Sequence, residues 1–363
     1  MFIFYKRTRW KYITREEYDN SPEPGKLKKY IYAIILIAIP IVLGSLVNHI
    51  TSLIDVVMVQ KQLANGIRKA PEIFETNYAV YIKDMAEKYA KENKEFSLLS
   101  DLPVSLYGCH RGFAFSIYNL IPVLTSTLGV SAIPVLARAW TLKDKKAVRA
   151  NIQTMLRTVA IIAIPCGFGI IALAKPILSL LYSSKSAIDI AAPNLQILGL
   201  CAIFAGINAP LVNMLQAIGK VSIPLKNIAI GAVLKIVCNF ILVGVPEINI
   251  HGVPVGTTVC YAFICIANLF ALAKYSNVRV DYYSTLIKPL FAGIGCGVVA
   301  YSVNYVLRGT LPERLITVAS IAVAGLCYLA LLALFNIIKE EDVLTLPMGE
   351  KICIILKKFK IVR

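Results

Sequence analysis

Ile228-Ala-Ile-Gly-Ala-Val-Leu-Lys-Ile-Val-Cys-Asn-Phe-Ile-Leu-Val243 is apolar at every position except Lys235 and Asn239. With its flanks the run extends over roughly 222–245. A helix that crosses a bilayer needs about 20 mostly apolar residues, and this stretch is long enough. An ammonium near its middle is costly in lipid, by about 2.5–3.5 kcal/mol on insertion scales. The run therefore announces both a membrane span and a polar interior for that span to face.

Seven further runs of the same character flank it, at roughly 30–58, 113–137, 155–174, 190–217, 252–273, 284–306 and 314–338. Basic residues or Gly/Pro turns such as Gly219-Lys220 and Pro246-Glu247 punctuate them. Composition agrees. Of 363 residues 57% are hydrophobic and only 16% charged, with a mean hydropathy of +0.68. Soluble domains carry about a quarter charged residues. Lipid-exposed backbone must satisfy its hydrogen bonds within its own segment, so the expected fold is an all-α polytopic membrane protein with about eight transmembrane helices. The short alternating segments of a β-barrel are missing.

The net charge is +17, from 38 Lys and Arg against 21 Asp and Glu. These charges punctuate apolar stretches instead of forming a patch, which argues against nucleic acid as a partner. Their placement orients the chain. With a cytoplasmic N-terminus, the segments 1–29, 138–157, 219–226, 274–288 and 339–363 hold 25 Lys and Arg. The opposing segments 175–186, 246–251 and 307–314 hold four. Positive residues concentrate on the cytoplasmic side, so both termini are expected there.

The expected organisation follows. A basic cytoplasmic linker fills 1–29, a six-helix region spans 30–273, two additional spans fill 274–338, and a basic tail closes 339–363. An external insert occupies 60–111, with helical spacing between Asn77 and Phe96. Residues 141–157 and the tail from Lys351 have the pattern of basic amphipathic helices that lie on anionic lipid headgroups. Most of the nine cysteines lie inside apolar runs with no CxxC pair, the pattern of small packing residues, not of disulfides or a zinc site.

Polar side chains inside spans are the functional candidates. Lys235 and Asn239 stand one turn apart on one helix face. Asp55 is the only acid well inside a span, and so is the natural counter-ion for Lys235 or for a bound cation; His49 lies on the same helix. Arg111 opens the second span. At 100° per residue it shares an arc with Phe115, Tyr118, Asn119, Pro122 and Ser126. A guanidinium grips phosphate with two parallel hydrogen bonds, so this face suits a pyrophosphate headgroup. An anchoring Arg at the membrane interface would look the same. Thr257, Thr258, Tyr261, Cys265 and Asn268 form a polar stripe on the sixth span, and the fourth adds Asn194, Gln196, Asn208, Asn213 and Gln216. Either set would line a cavity or glue helices together. Pro40, Pro122 and Pro165 are candidate bends. No Walker A loop, GxSxG or metal-ligand cluster is visible, so neither an enzyme nor a resident cofactor is expected.

The stretch Asn213-Met-Leu-Gln-Ala-Ile-Gly-Lys-Val-Ser-Ile-Pro-Leu-Lys-Asn227, continuing through Gly231 to Asn239 and Gly252-Val-Pro-Val-Gly-Thr-Thr258, closely resembles polysaccharide biosynthesis proteins of the stage V sporulation protein B type. Ser52-Leu-Ile-Asp55 and Ala132-Ile-Pro134 fit the same pattern. These proteins fall in the MOP exporter superfamily, with the MurJ-like lipid flippases and the MATE drug exporters. The resemblance implies two six-helix lobes and two extra C-terminal helices, of which this chain matches the second lobe and the extra pair. The apolar stub at Met1 then resembles the end of a preceding helix, so either the gene is truncated or a separate chain carrying the other lobe is an expected partner. MurJ-like flippases carry an Asp-Arg pair where this chain has His110-Arg111: the Arg is kept and the acid is lost. A sodium site in some relatives corresponds to Asp55, Lys235 or Asn239, and Thr257.

The resemblance implies flippase-like transport of a lipid-linked, pyrophosphate-bearing oligosaccharide or peptidoglycan precursor. Arg111 and Lys235 would meet the phosphates, with Tyr118, Asn119 and Asn239 beside them. Asp55, Thr257 and His49 are the ion or counter-ion candidates, and Na+ or H+ the coupling ion. A MATE-type exporter of cationic drugs and a non-transporting membrane partner of cell-wall synthesis are the alternatives.

Overall fold

The computed structural model describes residues 27–337, and every regular element among them is helical. The linker over 1–26 and the amphipathic tail expected from Lys351 lie outside the described residues. Eleven α-helices follow in order: α1 Leu27–Lys69, α2 Pro71–Asn77, α3 Ala79–Lys91, α4 Asp101–Cys109, α5 Phe115–Thr141, α6 Lys145–Leu181, α7 Lys185–Ala217, α8 Ser222–Val243, α9 Gly252–Ser276, α10 Lys288–Val306 and α11 Glu313–Leu334. A π-helical turn, His110–Ala114, joins α4 to α5, and a second, Tyr283–Ile287, leads into α10. Eight of the resulting stretches are long and apolar enough to cross a membrane, matching the eight runs read from the sequence.

The chain divides into two compact units, Met1–Leu43 and Gly44–Arg363. The described part of the first is the opening of α1, where Tyr32, Ile39 and Val42 are exposed. In the second unit α7 is the central post. Two thirds of its apolar window is buried, against about a fifth for α5 and α8. It packs against α5, α6 and α9; α9 in turn carries α8, while α10 and α11 cover the far side of α6. Close approach explains the centre. A Cβ on Gly167 of α6 would lie 2.7 Å from the carbonyl oxygen of Gly199 on α7, so only glycine permits this backbone spacing. Outer faces stay apolar and uncovered, with Leu53, Val57, Val233, Val237 and Phe240 all exposed. Large exposed apolar surfaces are what lipid or another membrane subunit covers.

A separate apolar cluster gathers the end of α1 (Val59, Leu63, Ile67), Phe74 and Tyr78 of the insert, Leu102 and Leu106 of α4, and Val243, Ile250 and Val253. Tyr78 donates its hydroxyl to Asn249 Oδ1 at 2.5 Å. Burial pushes the Tyr78 phenol well above its usual value.

Two sequence expectations change here. The non-membrane insert is shorter than 60–111, because α1 runs on to Lys69 and the next spanning helix already begins at Asp101. Hydropathy marks the greasy part of a helix, whereas the helix itself continues through polar turns. Within the insert α3 does form, and none of its residues is buried, as suits a solvated helix. Second, 141–157 is not a separate amphipathic helix. The Asp144 carboxylate caps the backbone N–H groups of Lys146 and Ala147 at 3.0 Å each, and from Lys145 a single helix continues to Leu181. No Gly or Pro interrupts it between Lys145 and Ile164, and Arg157 is 3% exposed. Its one non-helical residue is Leu173 (φ −118°, ψ 24°), three residues before Pro176 and eight beyond Pro165. A proline ring clashes with the preceding turn, so Pro176 accounts for this kink.

Candidate functional site

The site starts on two helices with little cover. Lys235 and Asn239 project from the same face of α8, one turn apart, toward Asp55 on α1. The Lys235 ammonium pairs with Asp55 Oδ2, and Asn239 Nδ2 donates to Asp55 Oδ1 at 3.1 Å. Both carboxylate oxygens are thereby engaged, and the aspartate is 4% exposed. Satisfying both oxygens is what makes a buried ion pair tolerable, since desolvation otherwise exceeds the Coulomb gain. The sequence left Asp55 as counter-ion either for Lys235 or for a bound cation, and the structure sets it against Lys235.

Gly256 of α9 supplies the room. A Cβ there would collide with the Asn239 side-chain amide, so the missing side chain lets α9 close on α8 while Asn239 stays turned to Asp55. Asn239 Oδ1 lies in this gap as a buried acceptor without a hydrogen-bond partner. Thr257, the next residue, is buried but spends its hydroxyl on the Val253 carbonyl at 3.0 Å in its own helix. His49 stays exposed on α1 and takes no part in the cluster. The Lys235 ammonium supplies the positive charge beside Asp55.

Arg111 lies in the π turn between α4 and α5. It is exposed, with its guanidinium stacked 3.9 Å above the Phe115 ring, and among the described residues no carboxylate lies within ion-pair distance. The turn also undoes part of the sequence reading. Phe115 N–H reaches back to the His110 carbonyl, a wider loop than an α-helix makes, so residues after the turn rotate away from a projection at 100° per residue. Tyr118 in consequence points into the core at 1% exposed, packed on Phe115 and Tyr261, and does not line an open face beside Arg111. Asn119 is exposed. Arg111 and Asn119 are thus accessible, and Tyr118 is packing.

The wider polar stripe resolves mostly into glue between helices. Asn227 of α8, Asn268 of α9 and Asn208 of α7 form a chain of side-chain hydrogen bonds at 2.7 and 2.8 Å. Asn194 meets the His251 ring at 2.7 Å. His251 and the fully buried His110 were not singled out as site residues. Both lie within electrostatic range of one another, and His110 is also within range of Lys235 and Arg111. The available signal was His251 standing in a short connection directly before a glycine-led span. Among the described residues no group of three or more His, Cys, Asp or Glu is arranged to hold a metal, and every cysteine is a free thiol.

Fold and composition define an all-helical, multi-pass membrane protein. Comparison with known proteins narrows that class. The MatE family matches residues 111–241. Stage V sporulation protein B of Bacillus subtilis is 19% identical over 247 residues, covering 67% of this chain and 46% of that protein. Lipid II flippase MurJ of Bacillus subtilis is 24% identical over 219 residues, 58% of this chain and 40% of its own length. An uncharacterized membrane protein of Methanocaldococcus jannaschii is 26% identical over 165 residues, 46% of this chain and 32% of the relative. A solved structure of lipid II flippase MurJ in an inward closed conformation superposes with a TM-score of 0.51 over 64% of this chain and 47% of that one, at 21% identity, which shows the fold. The chain is thus similar over part of its length to the MatE family and to flippase-type membrane proteins, and it spans between a third and a half of the length of these curated relatives.

Proposed function

We propose that this chain supplies one lobe of a flippase-like carrier for a lipid-linked, pyrophosphate-bearing cell-wall or polysaccharide precursor. The observation that carries the reading is Arg111, an accessible guanidinium at the opening of a spanning segment, with no carboxylate within ion-pair distance among the described residues and an aromatic ring to hold it in place. Such a group costs free energy in lipid and recovers it on meeting an anion. Lys235 plays a different part, since its charge is taken up by Asp55. It acts as a tethered cation that holds α1 to α8 where a mobile ion would otherwise be needed. Transport would then draw on the membrane potential or on protons instead of sodium.

The uncovered faces of α1 and α8 would receive a second lobe, and rocking between lobes would expose Arg111 to each side in turn. The basic residues of the 138–157, 219–226 and 274–288 segments support a cytoplasmic position for that end of the bundle and for both termini.

The MatE match over 111–241 supports a second reading, export of organic cations. Binding separates the two. The purified chain in detergent should bind farnesyl pyrophosphate and not ethidium, and Arg111→Ala should weaken pyrophosphate binding about tenfold, roughly 1.4 kcal/mol. Ethidium binding with no response to pyrophosphate would favour cation export.

A further inference from the structure

At the end of the bundle where α6 turns into α7 and α10 turns into α11, the protein forms a partly open cavity of about 860 Å³. Six charged side chains line it: Lys175, Lys185, Arg308 and Arg314 against Asp189 and Glu313. Lys175 and Asp189 satisfy each other at 2.5 Å. Among the described residues Lys185, Arg308 and Arg314 have no carboxylate within ion-pair distance, so the cavity keeps an excess of positive charge.

Backbone adds to that excess. α7 starts at Lys185 and α11 at Glu313, both helices longer than twenty residues, and neither Ser184 nor Pro312 caps the start with a side chain. Each start leaves N–H groups and the positive end of a helix dipole facing the cavity region. Gly309 holds the intervening turn at φ +82°, a conformation that lets the chain reverse tightly between Arg308 and Arg314. The floor is mixed: Asn304, Ile316 and Thr317 are buried beneath the charges. Beside the mouth, Leu311, Leu315 and Val318 are each about half exposed along the start of α11, an apolar track leading away from the cations.

Two guanidiniums and an ammonium around a partly enclosed space are the donor set that recognises phosphate, and the adjoining track suits a hydrocarbon chain. We propose that this cavity binds the phosphate group of a ligand, either a lipid headgroup or a soluble phosphate. The site is separate from Arg111 and does not depend on the carrier reading. Tyr182, which forms part of its wall, donates a hydroxyl to Gly112 O at 3.4 Å and packs against Phe113, so an occupied cavity would rest against the turn that holds Arg111.

The test uses the full chain in dodecyl maltoside and three probes: dioctanoyl phosphatidic acid, dioctanoylglycerol and inorganic pyrophosphate. Phosphatidic acid should bind and dioctanoylglycerol should not. Pyrophosphate binding of similar strength assigns recognition to the phosphate alone, and much weaker binding assigns it to a lipid. The pair Arg308→Gln/Arg314→Gln should weaken phosphatidic acid at least tenfold, and Asp189→Asn should strengthen it a few-fold. Arg308→Lys/Arg314→Lys, which keeps the charge, should retain most of the affinity and covers the case in which the neutral pair fails to fold. Equal binding of dioctanoylglycerol, no binding of either phosphate probe, or a folded Gln pair that binds like the parent would each overturn the proposal.

Discussion

Replacing Lys235 by Met keeps the unbranched stem and removes the terminal ammonium group, leaving Asp55 with 6% of its side chain exposed and Asn239 Nδ2 as its remaining donor. Removing one member of a buried pair costs about 3–5 kcal/mol, because the orphaned charge has lost its hydration without compensation. Asn239 recovers part of that, and the open faces of α1 and α8 allow some relaxation. The expected loss is therefore at the low end, about 3 kcal/mol. Denaturant unfolding in mild detergent reads it directly. Lys235→Met with Asp55→Asn should recover most of the loss, since the amide no longer strands a charge, and the cycle should give a coupling of about 2 kcal/mol or more. Sodium sharpens the test. In Lys235→Met the freed carboxylate faces a void the size of an ammonium group, so sodium should stabilise the variant, by about 2.7 kcal/mol at a hundred times its dissociation constant, and leave the parent unaffected. A Lys235→Met protein within 0.5 kcal/mol of the parent, in sodium or in choline, would refute the idea that this lysine stands in for a bound ion.

The remaining predictions concern the supports of the site. Gly256→Ala places a methyl group against the Asn239 amide and should cost about 2 kcal/mol by overpacking, while Asn239→Ala in the same chain should relieve most of it. Tyr78→Phe removes the hydrogen bond to Asn249 and should cost about 1 kcal/mol, read from unfolding or from faster proteolysis within 70–100. The folded phenol titrates above the unfolded one, so the stability it contributes is complete below about pH 10 and is lost as pH rises beyond that. The Phe variant should show a shallower alkaline decline. Equal slopes for the two proteins would place the buried titration elsewhere.

Eight spans and the isolation of Lys235 and Asp55 were legible in the sequence because both rest on transfer free energies, which each residue carries wherever it sits. The arc drawn through Arg111, Tyr118 and Asn119 was not reliable, because it assumed 100° per residue through a segment that contains a π turn. Nothing in His110-Arg-Gly-Phe-Ala114 signals that turn locally. Asn208, Asn227 and Asn268 illustrate the same gap: a cavity lining and a packing seam are made of the same residue types, and only the partner across the interface tells them apart.

Hydropathy along the chain settled which segments enter the bilayer, because burying about 20 apolar residues in lipid outweighs any local preference. Tertiary contact alone decided what the polar residues do there. Lys235 is paired with Asp55, and Gly256 lets a third helix press Asn239 into place beside them, whereas among the described residues no acid is brought to Arg111. An ionic interaction depends on distance and on the surrounding dielectric, and neither exists until helices distant in sequence have packed.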